Sequence, residues 1–358
     1  MARGGGRLLF VVNLPSGTLV EHAVLGTSWD LKGSPNPCTV MLPGPPLDYE
    51  DFDRRLTRPA VNDAERALDW FEEDRTEDES RPQRFWGWAP AVNTERRKVI
   101  KAHVHRMVAV VSIDREPESD DARTSHSNEV GMAIDRWTDT LSEWLEVLVG
   151  LDLGGREVQS AFRPRHVHPL PLVDGGDRRW RNYATMSQGP TIRHTSPHAN
   201  LSQWRLAVER ANAGDSAPEE HLLLRDSRAA WLRNDPRKAL IDAATAVEVA
   251  LAAEIQRSLG PNASVEAIDR VLKNASGVID LHDLTVALGT AIPVSRARLI
   301  HRLADRRNVA VHRGVAPSDA ELGHAVRLAD SIVRAVRPLE GATDPWPLGS
   351  VSSTLTAC

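Results

Sequence analysis

Hydrophobic positions along this chain follow two regimes. Up to about residue 215 they come in short β-like runs, at 8–13, 18–24 and 39–42, separated by Gly, Pro and Ser clusters. Residues 99–113, rich in Val, form the clearest strand, followed by an acidic loop. One long amphipathic helix interrupts this pattern at 128–149, where Val130, Ile134, Trp137, Leu141, Trp144 and Leu148 repeat at helical spacing. A second helix is expected at 62–73, where Asn62 and Glu65 have capping-box spacing, and a third at 201–213, stopped by Gly214. Residues 157–172 read as extended and 174–200 as loop.

After residue 215 the period becomes helical throughout. Ser216, Pro218 and Glu219 open a helix running to about 233, and Pro236 opens the next, to 259. Shorter helices fit at 264–274 and 280–290. A longer one runs from 295 to 312 before Gly314. The last, at 318–337, starts at the capping box of Ser318 and Glu321. Short connections favour an antiparallel bundle. The fold class expected is therefore α+β: a mixed α/β domain over 1–214, an all-α antiparallel helical bundle over 216–340, and a flexible tail over 341–358.

Composition narrows the class. The chain has 358 residues, 41% hydrophobic and 26% charged, which is enough for packed cores. No apolar run reaches the ~18–20 residues of a membrane-spanning helix, and the short one at the N-terminus ends at Asn13 and Pro15. A cytoplasmic protein without membrane partners is expected. Two cysteines, Cys38 and Cys358, argue against a disulfide framework and a cysteine zinc cluster. The formal charge of −5 excludes a general histone-like binder. That total hides an uneven distribution: residues 296–313 carry six Arg and one Asp.

The helix at 295–312 holds the most suggestive chemistry. His301, Asp305, Asn308 and His312 fall at i, i+4, i+7 and i+11 on one stripe, opposite Leu299 and Leu303. Arg307 belongs at the edge of the buried face. In the helix at 236–259, Glu248 sits within the apolar stripe Ile241, Ala244, Leu251 and Ile255. A carboxylate there needs a partner, and Arg307 is the natural one.

Arg307-Asn308-Val309-Ala310-Val311-His312 has the form Arg, polar residue, three residues, His. With its helical context, the His312-Arg313-Gly314 turn and the upstream Glu248 helix, it resembles the HEPN superfamily, in particular its ApeA-like members. The resemblance covers residues 216–338. It implies a metal-independent endoribonuclease without cofactors, often a toxin or antiviral defence effector. The active site would be shared by two motifs across a homodimer, with RNA as substrate and an antitoxin or regulator as a further partner. His312 would be the acid or base, Arg307 the phosphate contact, and Asn308 the orienting group. Glu248, His301, Asp305, Arg306 and Arg313 would support them. The chemistry is sound: RNA carries its own 2′-hydroxyl nucleophile, and a His near neutral pKa and an Arg suffice to move protons and stabilise the phosphorane. The alternative is a non-catalytic dimerisation module that binds RNA or nucleotide.

Other residues suggest weaker sites. His103 and His105 form one His-x-His pair and His166 and His168 another; on neighbouring strands these four could hold a transition metal. Phe85-Trp86-Gly87-Trp88 and Arg178-Arg179-Trp180-Arg181 could stack on bases. Motifs for nucleotide hydrolysis, zinc proteolysis and serine hydrolysis are absent.

Overall fold

A computed structural model describes residues 6–47, 54–61, 86–93, 98–114, 119–150, 167–170, 198–275 and 277–342. The expected helix at 62–73, the cluster at 178–181, His166 and most of the expected tail lie outside these residues.

The first unit is built on an antiparallel sheet of six strands: β1 (Gly6–Glu21), β2 (Ser28–Leu31), β3 (Cys38–Met41), β4 (Gly87–Asn93), β5 (Lys98–Ile113) and β6 (Val167–Leu170). Their order is β2-β3-β5-β1-β6, with β4 also paired to β5. The runs at 8–13 and 18–24 join into the single strand β1. Its register against β5 shifts between Asn13 and Thr18, around Pro15, which lacks a ladder donor. The Val-rich strand β5 is central: Val99, Val104, Val108 and Val111 are completely buried. Gly87 opens β4 at φ +136°, where an added Cβ would lie 2.0 Å from the His103 carbonyl oxygen. Only glycine fits that approach.

Helix α1 (Asp120–Val149) starts eight residues before the expected position, running on through a polar first segment. Its predicted apolar stripe is buried throughout, from Val130 to Leu148. Helix α2 (Leu201–Ala213) begins at a capping box between Asn200 and Gln203 and ends at Gly214 in the left-handed region. Asn212 ties this unit together. It accepts from Trp137 Nε1 of α1 at 2.9 Å and donates to the Asp30 carbonyl of β2 at 2.8 Å.

The contacts divide the chain into two units: Met1–Leu145 with Leu153–Ser216, and Glu146–Asp152 with Ala217–Cys358, so the end of α1 belongs to the second. The second unit is helical: α3 (Glu219–Leu232), α4 (Pro236–Leu259), α5 (Val265–Asn274), α6 (Val278–Ala287), α7 and α8 (Asp319–Val336). Helix α7 is composite. Arg296–Leu299 and Asp305–Arg313 are α-helical, and Ile300–Ala304 between them is a π-helical turn. Helix α4 lies at the centre of this unit, packed by α3, α6, α7 and α8. Ala239, Ala243, Ala246 and Ala250 are fully buried on α4, and small residues there let neighbouring helices approach closely. Leu240, Val247 and Leu251 meet Leu299, Leu303, Val326 and Ile332 in one core. A buried charge cluster also crosses this unit. Asp330 of α8 accepts from Arg228 of α3 and from Arg334, each at 2.9 Å, so both arginines neutralise one buried carboxylate.

Candidate functional site

The local sequence explains how α7 is held. Ser295 caps its first turn, accepting from the Arg298 amide. Gly314, at φ +66°, closes its last turn in the left-handed region. Leu299, Leu303 and Ala310 supply the buried side. Within the π turn, the Asp305 amide donates to the Ile300 carbonyl five residues back. Such turns carry about one extra residue relative to an α-helix. The stripe His301, Asp305, Asn308, His312 is therefore not a straight line on an α-helix. His301 and Asp305 still meet, with Nδ1 and Oδ2 3.6 Å apart and both side chains exposed. Asn308 and His312 lie beyond the offset, also exposed.

The two adjacent arginines have different partners. Arg306 pairs with Glu321 of α8 at 2.7 Å. Arg307 is half-buried, and its Nη1 donates to Asn308 Oδ1 at 3.3 Å. Arg307 and Asn308 therefore form a local unit about one to one and a half turns before His312, while Arg306 joins two helices. Arg313 is exposed at the end of the helix.

Glu248 departs from the expectation. Among the described residues no ion pair joins it to Arg307. It is half-buried on α4, and its carboxylate lies instead beside Gly277 ahead of α6, where an added Cβ would be 3.9 Å from Oε1. The carboxylate that α4 does bury is Glu254, 2% exposed. It is clamped by Arg257 through bonds of 2.7 and 2.6 Å and receives Thr290 Oγ1 at 2.8 Å. These bonds, led by the one from Arg257, hold its carboxyl below the ordinary range despite burial. The sequence carried a signal for this: Ala243, Val247, Ala250 and Glu254 share one helical stripe, and Arg257 follows Glu254 at i+3.

His324 is a second residue that sequence spacing did not single out. It lies on α8 among Arg302, Arg327 and Arg298. Burial and then these guanidinium charges push its pKa down. The face between α7 and α8 is therefore strongly cationic, with Glu321 as the acidic neighbour of Arg306.

Among the described histidines of the two expected pairs, His103 and His168 do not lie opposite each other. β1 lies between β5 and β6. His103 is opposite Leu19 on one side of β1, whereas His168 is opposite Val11 on the other. Along β5 those positions are five residues apart, from His103 to Val108 opposite Val11, about 17 Å of strand. Among the described residues no group of His, Cys, Asp or Glu has the proximity to hold a metal ion. Trp86 is buried, and Trp88 stacks on His103 with ring centres 5.1 Å apart. Trp86 belongs to the core, and Trp88 is half-buried. Cys38 is buried as well, and burial pushes its thiol up to about 12, which keeps it an inert thiol.

No protein-family model, curated protein or solved structure matches the chain. Among the described residues no helix is long and apolar enough to cross a membrane.

Proposed function

We propose that this protein is a metal-independent endoribonuclease that works through Arg307, Asn308 and His312. One observation carries the reading: an arginine hydrogen-bonded to its neighbouring asparagine lies about one and a half turns before an exposed histidine, at a helix end closed by Gly314. In the proposed reaction the 2′-oxygen attacks the adjacent phosphorus as an imidazole takes its proton. The P–O5′ bond breaks, and a second imidazole returns a proton to the 5′-oxygen. The products are a 2′,3′-cyclic phosphate and a 5′-hydroxyl. Arg307 binds the non-bridging oxygens, whose charge grows in the transition state. One motif offers one histidine, so two chains acting as a homodimer supply acid and base together.

A specific feature favours the non-catalytic alternative: among the described residues no hydrogen bond orients the His312 ring. An RNA-binding dimer needs no such orientation. Incubating the purified chain with single-stranded RNA in EDTA separates the two readings. The nuclease reading expects 2′,3′-cyclic phosphate ends, no cleavage of 2′-deoxy substrate, and loss of cleavage in His312→Ala. RNA retained intact but bound identifies the binding module.

A further inference from the structure

The second unit holds a cavity of about 520 Å³ lined by six polar or charged side chains: Glu220, His221, Glu254, Arg257, Thr290 and Arg337. Its size is that of a small-molecule site. None of these residues belongs to the α7 motif.

The two carboxylates are buried, Glu220 at 4% and Glu254 at 2% exposure, and each is engaged by an arginine. Arg337 Nε donates to Glu220 Oε1 at 3.0 Å. Arg257 uses Nε and Nη2 on Glu254, and Thr290 Oγ1 also donates to it. His221 Nε2 is bonded to the Arg337 carbonyl at 2.9 Å. The acceptors of the lining are thus largely occupied. The donors are not: a guanidinium carries five N–H groups, and among the described residues Nη1 of Arg257 and both Nη atoms of Arg337 have no acceptor. Each guanidinium is also fixed in place by a buried carboxylate. Two preoriented forks with unspent donors suit a planar or tetrahedral oxyanion. Arg257 is 64% exposed and Arg337 34%, so these donors are reachable from solvent.

We infer that this cavity binds a small molecule through an oxyanion group, phosphate or carboxylate, held between Arg257 and Arg337. The site stands independently of the nuclease reading.

The test uses the full chain, with inorganic phosphate and succinate as probes against chloride at matched ionic strength, read by thermal shift and titration calorimetry. One of the two anions is expected to raise the Tm in a saturable way, and the stronger of them identifies the oxyanion. Arg257→Lys keeps a cation for Glu254 but loses the outward Nη1; it should weaken binding at least tenfold. Arg337→Lys should do the same, and it reports on the cavity if the first variant fails to fold. Arg205→Ala, exposed on α2 and remote in sequence from both sites, should bind as the wild type does. The inference is overturned if neither anion exceeds chloride, if the folded lysine variants bind unchanged, or if binding is lost in Arg307→Ala and kept in Arg257→Lys.

Discussion

Arg306 Nη1 lies 2.7 Å from Glu321 Oε1, an ion pair that joins α7 to α8. Its neighbour Arg307 bonds only to Asn308, within its own helix, among the described residues. Two consecutive arginines are thereby divided, one holding two helices together and one bonded within its own helix. Arg307→Ala is expected to lower RNA cleavage by about 10²–10³-fold, the scale for removing one oxyanion donor. Arg306→Ala should keep cleavage within about threefold and cost no more than about 1 kcal/mol, as half-exposed pairs do. Single-turnover rates and urea melts of the two variants check the division.

Gly314 and Gly87 both hold positive φ for different reasons. Nothing lies within 4 Å of an added Cβ at Gly314, so Gly314→Ala meets only the left-handed backbone cost, about 1 kcal/mol. At Gly87 the added atom meets the His103 carbonyl at 2.0 Å and Leu56 Cδ1 at 2.9 Å. Gly87→Ala should cost more than about 3 kcal/mol, beyond ordinary overpacking. Hydrogen exchange should show the loss in the sheet alone.

Burial holds the His221 imidazole below its ordinary value of 6.5, against the opposing bond to the Arg337 carbonyl. A lowered folded pKa contributes stability above pH 6.5, lost as pH falls through the folded value. His221→Gln keeps a side chain able to donate to Arg337 and does not titrate. Its Tm is expected to fall less than the wild-type Tm between pH 7 and pH 5.

The Glu254 carboxyl is held below its ordinary 4.5, chiefly by Arg257. It stabilises the fold above that pH, and the contribution is lost as pH falls through the lowered value. Glu254→Gln should therefore cost about 1–3 kcal/mol at pH 7. It should also flatten the acid limb of the stability curve below about pH 4.5. Denaturant melts at pH 7, 5 and 3.5 test both parts.

Much of the secondary structure was legible because local rules decided it. The stripe Val130 to Leu148 is buried as its period required. Ser318 and Glu321 form the expected capping box, and Gly314 ends α7. Local rules misjudged β1, because Pro15 reads as a break, whereas a register shift against β5 absorbs it. They also missed the π turn at Ile300–Ala304, since a uniform 3.6 period assigns it an ordinary helical phase.

Short-range quantities were readable from the residues alone: most helix ends, the caps at Ser318 and Gly314 though not the one expected at Ser216, the Arg-rich composition of α7, and the order Arg307, Asn308, His312. These depend on neighbours a few residues apart. Partnership was decided only by the tertiary structure. Periodicity pairs Glu248 with Arg307, yet the fold sets Glu248 beside Gly277. His324 gained its three arginine neighbours, and Glu220 met Arg337 over a separation of 117 residues. A charge's partner depends on which helix packs beside it, and a helical period measures only its own helix.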